Sequence, residues 1–353
     1  MKARFTKHTL QFKIPGGTSR GLLTFKETWF LILEDNGIIG VGECSPIWGL
    51  SIESKDDYEH ELQNLCEIIN DGKEIENSFF DSIPSIAFGY ELAIKDINAK
   101  GSKILFENDF SIKNKGQLIN GLIWMGSFDF MVKQIDAKIR AGYNCIKLKI
   151  GALDFDEELA ILKYIRSTKF PDDLIVRVDA NGAFKPNEAI EKLNSLAQFN
   201  LHSIEQPIAA NQWQQMTELC ANSPIAIALD EELIGVSIND AKAMLESIKP
   251  QYVILKPSLI GGFKAAEQWI AFANELKIGW WITSALESNI GLNAISQWTY
   301  HLNHRTVHHG LGTGQLYRNN LLSPLYINKG SIYYNKTAYW DLTLALQNES
   351  LCN

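Results

Sequence analysis

The sequence predicts an α/β fold: a modified TIM barrel of seven βα units and a closing strand, with an N-terminal α+β capping domain that the C-terminal segment completes. The main observation is a regular interval between polar residues that each end a short apolar run. Asp179, Glu205 and Asp230 follow one another after 26 and 25 residues, and Lys256 follows after 26 more. Such an interval fits one strand, one loop and one helix, and barrel enzymes carry their chemistry at the carboxyl ends of the strands.

The alternation within these runs is the second observation. Successive side chains of a strand point to opposite faces. Lys147 and Lys149 share one face of their run, and Arg177 shares a face with Asp179 in the next. If the aliphatic faces pack against outer helices, the charged side chains converge on the mouth of the barrel.

Residues 1–110 do not show this regular repeat of strand and helix, and they are predicted to form the capping domain. The Asn36-Gly37 pair is a strong signal for a hairpin turn. The predicted elements are strands at 2–14, 27–34 and 38–44 and helices at 54–70 and 84–100. Hairpin strands followed by helices favour an α+β domain separate from the barrel.

The barrel is predicted over residues 111–311, and residues 312–353 are expected to return to the capping domain. One helix is expected to begin at Asp154, with Glu157 three residues on, as in a capping box. The predicted strands are 120–125, 145–150, 174–179, 201–205, 225–230, 251–256 and 279–283, with a closing strand near 306–311. The predicted helices are 128–141, one from 154, and others near 187–199, 211–221, 237–247, 261–276 and 287–302.

Composition agrees with an ordinary soluble enzyme. The chain has 353 residues and a net charge of -8, with 33 basic and 41 acidic residues. It has no basic run, which argues against nucleic acid or an anionic membrane as a partner. The N-terminus lacks a signal-peptide core, and no stretch approaches the length of a membrane span. The cysteines are odd in number and show no paired spacing, which indicates reduced thiols in the cytoplasm: Cys44, Cys66, Cys145, Cys220 and Cys352.

Three strand-end carboxylates, with no His or Cys among them, predict a metal site. Asp179, Glu205 and Asp230 offer only oxygen, which suits Mg²⁺, with Mn²⁺ as an alternative. Without a cation the three like charges would repel. The other interpretation is that they are solvated loop acids or ion-pair partners of the lysines.

Lysines near the carboxylates are candidates for proton transfer. A cation that holds a substrate carboxylate stabilises the charge that develops when the neighbouring C–H loses its proton. Lys149, nearer the strand end, is the candidate base, and Lys147 either lowers the pKa of Lys149 or contacts the substrate carboxylate. Lys256 is expected on the opposite face of the substrate, although a surface lysine is the alternative interpretation.

Five motifs in register resemble the enolase superfamily and its muconate lactonizing enzyme subgroup: KLK, RVDAN, IEQP, LDEE and LKPSLIGG. The resemblance covers nearly the whole chain. Within the subgroup, GECSPIWGLS, NGLIWMG and TSALESNIG are similar to the o-succinylbenzoate synthase family. This resemblance implies a Mg-dependent dehydratase of menaquinone biosynthesis. One lysine would remove the α proton and then protonate the departing hydroxide, and the second would stay protonated.

The sequence leaves two other functions open. A dipeptide epimerase or N-acylamino acid racemase would use the same metal and both lysines. Dipeptide epimerases of the subgroup usually carry an Asp-x-Asp pair near the end of the barrel, where this chain reads TVHHGLGTGQL. A non-catalytic barrel is disfavoured by the complete set of lysines and carboxylates. Homo-oligomer formation is also left open.

Several other residues are weaker candidates. By the resemblance, Ser284 and Glu287 line the mouth, although Glu287 could equally belong to the first turn of a helix. Arg177 could anchor a substrate carboxylate or pair with a neighbouring acid. Trp48 could cover the substrate or pack in the core, and Asn181 could orient metal ligands or simply form a turn.

Two further patterns are read as structural. The histidines His301, His304, His308 and His309 straddle a helix end and a strand start, so packing or solvation is favoured over zinc binding. The segment Gly310–Gly314 does not open a helix after a strand in a βαβ unit, so a dinucleotide site is not expected.

Overall fold

The computed structural model describes residues 1–18, 21–168, 170 and 173–347. Its strands are β1 (Lys2–Thr18), β2 (Gly21–Asp35), β3 (Ile38–Cys44), β4 (Gln117–Leu118), β5 (Gly121–Ile123), β6 (Cys145–Lys149), β7 (Ile175–Asp179), β8 (Ser203–Glu205), β9 (Ile227–Leu229), β10 (Tyr252–Leu255), β11 (Gly279–Ile282), β12 (Leu325–Asn328) and β13 (Ser331–Tyr334). Its helices are α1 (Tyr58–Asn70), α2 (Pro84–Asn98), α3 (Asp109–Lys113), α4 (Phe128–Arg140), α5 (Phe155–Ser167), α6 (Pro186–Ala197), α7 (Trp213–Asn222), α8 (Ile238–Ile248), α9 (Pro257–Ile260), α10 (Gly262–Glu275), α11 (Asn289–His301) and α12 (Thr343–Leu346).

The N-terminal cap is an antiparallel sheet covered by two helices. The strand order is β1-β2-β3, and α1 and α2 pack on one face around buried residues such as Trp29 and Leu62. Gly42 permits close packing, because a Cβ atom there would lie 1.8 Å from the carbonyl oxygen of Gly89 in α2. Helix α1 begins at Tyr58 and not at residue 54, since the segment before it is folded into turns.

The barrel sheet is parallel and closed by a very short eighth strand. Seven strands follow in the order β5-β6-β7-β8-β9-β10-β11. His309 bridges to Ile119, next to β5, and Gly310 bridges to Thr283, next to β11, so the segment joins the two edges. The seven βα units, the closing strand and the α+β cap confirm the predicted fold class.

Strand register places the polar ends in one layer. Lys149 pairs with Asp179, and Asp179 pairs with Glu205 in the next strand. Aliphatic residues on the opposite face, such as Ile146 and Val178, are fully buried beneath the outer helices. The alternation therefore separates a hydrophobic layer from a charged mouth.

The C-terminal segment contacts both the barrel and the cap. The hairpin of β12 and β13 pairs with β4 just before the barrel begins. Tyr317 bridges to Phe12 of β1, and Arg4 donates to the carbonyl of Leu346 over 3.3 Å. Residues 348–353, which include Cys352, lie outside the described part. The four described cysteines are free and buried.

Two glutamates of the cap, buried Glu43 and half-buried Glu91, bind helices of the barrel. Glu43 of β3 accepts hydrogen bonds from the backbone N–H groups of Ser288 over 2.7 Å and Gly291 over 2.8 Å, at the start of α11. Glu91 of α2 accepts from the N–H of Phe263 over 2.6 Å, at the start of α10. Carboxylates are favoured at helix N-termini, so these contacts fix the cap over the barrel mouth.

Candidate active site

The predicted lysines and acids stand at the carboxyl ends of five neighbouring barrel strands. In order from β6 to β10 they are Lys147 and Lys149, Asp179, Glu205, Asp230 and Lys256. Each strand is short and ends at a turn, so its last inward side chain faces the mouth. The structure thus brings together all six residues that the spacing singled out.

Each acid is paired with a lysine. Lys147 Nζ lies 2.9 Å from Asp179 Oδ2 and 2.7 Å from Glu205 Oε2. Lys149 Nζ lies 2.5 Å from the same oxygen of Asp179. Lys256 pairs with Asp230 on the other side of the mouth, four strands away from β6. The two outer lysines therefore flank the carboxylates from opposite sides.

Burial and charge shift these acids in opposite directions. Burial opposes ionisation of Asp179, but the charges of Lys147 and Lys149 outweigh it and hold the pKa of Asp179 well below its usual range. Burial and the negative charge of Asp179 raise the pKa of Glu205 well above its usual range. Glu205 is therefore the acid that most lacks a compensating cation.

The chemistry of the donors fits a hard divalent cation. All three acids offer oxygen only, and Glu205 Oε1 is buried without a hydrogen-bond partner. Among the described residues, however, no three acidic, His or Cys side chains are already arranged as a metal site. The ion pairs explain this, because the carboxylates are turned toward ammonium groups. A cation would have to displace the lysine ammonium groups from the carboxylates. Lysine side chains are long enough to rotate away.

A cavity of about 570 Å³ lies above the lysines, between the cap and the barrel. Its described lining contains no Asp or Glu. The lysines that line it are Lys13, Lys138, Lys147, Lys149 and Lys256. Its apolar walls come from both regions: Ile14, Leu22, Leu23, Ile47, Trp48, Leu50, Leu122, Trp124, Leu286 and Leu316. The cavity suits an anionic molecule with an apolar body.

Asn181 and Ser284 also line the cavity. Asn181 accepts from Lys149 Nζ over 2.9 Å and donates to Glu231 over 2.9 Å, so it orients the lysine. Ser284 hydrogen bonds to Glu287 and lies 2.7 Å from the hydroxyl of Thr313. Glu287 itself is fully buried and does not line the cavity. It accepts hydrogen bonds from the hydroxyls of Ser284 and Ser258.

Arg177 does not reach the cavity, which corrects the expectation that it anchors a substrate carboxylate or pairs with an acid. It pairs in register with Lys147, one layer below Lys149 and Asp179. Its guanidinium lies 4.0 Å from the ring centroid of Trp281 and donates to the carbonyl of His308 over 2.8 Å. Arg177 thus packs inside the barrel.

The C-terminal histidines are held by packing and hydrogen bonds inside the barrel wall, and His309 Nε2 lies 3.1 Å from the carbonyl of His304. His304 stacks on Trp280 with ring centroids 4.0 Å apart. His308 hydrogen bonds to Asn144, and Nδ1 of His309 accepts from the N–H of Ile282 over 3.0 Å. These contacts give each histidine a local structural role.

Sequence reasoning missed several residues of the cavity wall. Lys138, in the last turn of α4, has its Nζ 4.8 Å from the ring centroid of Tyr143, and burial lowers the pKa of Lys138. In the sequence it resembles any basic residue at a helix C-terminus. Gly310, Gly312 and Thr313 also line the cavity. The sequence pattern presents their glycine-rich segment as a possible dinucleotide motif and as the place where an Asp-x-Asp pair is absent, but not as part of a cavity wall.

Comparisons with known proteins agree with this geometry. Residues 131–337 match the family described as Enolase C-terminal domain-like, and residues 18–97 match the family described as MenC, N-terminal domain. An o-succinylbenzoate synthase from Desulfotalea psychrophila is 48% identical, over 94% of this chain and 98% of the relative. The chain therefore belongs to the enolase superfamily and, within it, to the o-succinylbenzoate synthase family.

Solved structures show the same fold. The crystal structure of MenC from Desulfotalea psychrophila superposes with a TM-score of 0.85 at 44% identity, covering 94% of this chain and 99% of that one. A dipeptide epimerase from Enterococcus faecalis, complexed with Mg and the dipeptide L-Leu-L-Tyr, gives a TM-score of 0.82 at 16% identity, covering 94% and 96%. The second likeness concerns the fold alone.

Proposed function

We propose that this chain is an o-succinylbenzoate synthase, a Mg²⁺-dependent hydro-lyase of menaquinone biosynthesis. The observation that carries the proposal is the cavity, whose described lining combines five lysines with apolar walls and no acid. The proposed substrate is a cyclohexadiene carboxylate with a succinyl side chain, which is a dianion with an apolar ring. The 48% identity to a synthase of this name supports the same assignment.

Asp179, Glu205 and Asp230 are the proposed Mg²⁺ ligands, and Mn²⁺ has the same preference for oxygen. When bound, the cation would stabilise the negative charge that develops on a substrate carboxylate as the α proton leaves. Lys147, between Asp179 and Glu205, would then be free to contact that carboxylate.

Lys149 is the proposed base. Its Nζ lies at the cavity surface and is oriented by Asn181, so it can take the proton α to the substrate carboxylate. The C–H electron pair is first delocalised onto the substrate carboxylate. It forms the new double bond when the neighbouring C–O bond breaks, and the ammonium formed on Lys149 protonates the departing hydroxide to give water. Lys256 stays protonated on the opposite side and stabilises the anion.

An epimerase is the alternative, since two lysines on opposite sides could also exchange a proton between two faces. A dipeptide carries an ammonium group, which requires an acidic partner. The segment around Gly310 and Thr313 lines the cavity without supplying one. The lining therefore favours the dehydratase.

The direct test is a dehydration assay on the purified protein after treatment with a chelator. We expect no activity without metal, full activity with Mg²⁺ and at least partial activity with Mn²⁺. Full activity in metal-free protein would contradict the ligand assignment. In D₂O we expect slow or no deuterium exchange at the α carbon of a dipeptide, and rapid epimerisation without dehydration would instead support the alternative.

The proposed location is the cytoplasm. The described cysteines are free and buried, which is typical of a reducing compartment. No helix in the described ranges is long and apolar enough to cross a membrane. Formation of a homo-oligomer stays a prediction for size-exclusion chromatography with light scattering.

A further inference from the structure

One wall of the cavity is a loop of the cap whose ends are joined by hydrogen bonds. Trp48 sits at its tip, and Ile47, Gly49 and Leu50 line the cavity beside it. The carbonyl of Ile47 accepts from the N–H groups of Leu50 over 2.9 Å and Ser51 over 2.8 Å. The hydroxyl of Ser51 accepts from the N–H of Ile47 over 2.8 Å. These bonds connect the two ends of the loop, and contacts of Trp48 outside the loop position its ring against the cavity.

Glu27 of β2 holds the indole of Trp48. The Nε1–H group donates to Glu27 Oε2 over 2.7 Å, which is short for a neutral donor and typical of a bond to a charged acceptor. The side chain of Glu27 is only 13% exposed and lies 2.8 Å from Lys7 Nζ and 3.6 Å from Lys55 Nζ. The two lysines keep Glu27 ionised: burial raises the pKa of this carboxyl, but the bonds from Lys7 and Trp48 outweigh it and lower the pKa.

Trp29 of β2, which neighbours Trp48, provides a comparison. Trp29 Nε1–H donates to Glu59 over 3.1 Å, and Lys7 lies 3.3 Å from Glu59 and 4.9 Å from the centroid of the Trp29 ring. Trp29 is buried and packs edge-on against Trp48, with centroids 6.0 Å apart, but it does not line the cavity. The two tryptophans share the same chemistry, and only one of them can affect a bound molecule directly.

We propose that Glu27 is a positioning residue for substrate binding, which acts by fixing Trp48 as the wall against the apolar ring of the substrate. This inference rests on the proposed dehydratase function. Glu27 is outside the reacting centre, so its loss should weaken the substrate complex and the transition state alike. Such a change raises KM and leaves kcat nearly unchanged.

The test is steady-state dehydration kinetics of variants in the full chain. Glu27→Ala is expected to raise KM about tenfold, the scale of a lost hydrogen bond to a charged group, with kcat within about threefold. Glu27→Gln keeps an acceptor oxygen and should restore KM to within about threefold of the wild type. If Glu27 acted only through its ion pairs with Lys7 and Lys55, Gln would behave like Ala, and the proposal would fail.

Two further variants keep the test decisive if Glu27→Ala does not fold. Trp48→Phe removes the N–H donor but keeps an aromatic ring, and Glu27→Leu removes the acceptor but keeps the side-chain volume. Glu27→Leu should raise KM about tenfold in the wild type and should change it no further when added to Trp48→Phe. Additive effects of the two changes would overturn the proposal. Glu59→Ala is the matched control and should leave KM unchanged. An inactive wild-type protein would contradict the proposed function, whereas an active wild type with unchanged KM in Glu27→Ala would contradict only the role of Glu27.

Discussion

The acids at the barrel mouth and those at the cap junction are compensated in different ways. At the mouth, Asp179 and Glu205 face the ammonium groups of lysine side chains. At the junction, Glu43 and Glu91 accept from backbone N–H groups at helix starts. A lysine side chain can move away when a cation or a substrate arrives, but a helix N-terminus cannot. The mouth is therefore arranged for exchange of partners, and the junction for stability.

The largest expected effect is on turnover at the mouth. Lys149→Ala should lower kcat by about 10³-fold or more, because a general base of this kind contributes on that scale. The fold should persist, since Lys147 still pairs with Asp179. Kinetics together with chemical denaturation check this. Loss of cooperative unfolding in the variant would show that Lys149 is mainly structural.

Glu205→Gln distinguishes a functional acid from a stabilising one. Activity should fall by about 10³-fold, because the variant loses an anionic metal ligand. The free energy of unfolding without metal should stay the same or rise by about 1 kcal/mol, because the raised pKa of Glu205 shows that its charged form is disfavoured there. Denaturation in chelator measures this. A loss of about 3 kcal/mol, as expected for a broken buried ion pair, would place Glu205 with the stabilising acids.

The mouth could be predicted from the sequence and the junction could not, for a physical reason. Asp179 and Glu205 end strands of a repeating unit, so spacing and alternation are sufficient to align them. Glu43 acts on Ser288, 245 residues away, and no local pattern encodes that contact. Local detail also failed at α5, where Asp154 accepts from the N–H of Asp156 and the expected partner Glu157 forms no capping box. The strand alternation put Arg177 on the same inward face as Asp179, but it could not show that Arg177 lies one layer deeper, below the cavity.

Glu43→Ala should lower stability and leave activity nearly unchanged, which is the reverse of the effect expected for Glu205→Gln. It leaves the N–H groups of Ser288 and Gly291 buried without an acceptor, which should lower the free energy of unfolding by about 3 kcal/mol. We expect kcat of the folded fraction within about threefold of the wild type, measured well below the unfolding temperature. Glu34→Ala, at an exposed position of the same sheet, is the control and should change stability little. A stable Glu43→Ala variant that is inactive would reverse the assignment of the two regions.

The smallest expected effect concerns a buried base that has to stay neutral. Nδ1 of His309 accepts from Ile282 N–H, and its Nε2 lies 3.1 Å from the carbonyl of His304, where it can only donate. Burial lowers the pKa of His309 to about 3. An unfolded histidine titrates near ~6.5, so below that pH the unfolded state binds more protons.

The stability contributed by neutral His309 is therefore present above ~pH 6.5 and is lost as the pH falls toward the folded value. Between pH 6.5 and 5 the loss should be about 1.5 kcal/mol, measured by denaturation in matched buffers. His309→Asn keeps an acceptor for Ile282 and cannot titrate, so its stability should fall less over the same range, whatever its absolute value. His202 and His308, whose pKa values burial lowers to about 4, titrate in both proteins and cancel in the difference. If the free energy of unfolding fell equally with pH in the two proteins, His309 would accept a proton without breaking its contacts. The fold would then not require a neutral His309.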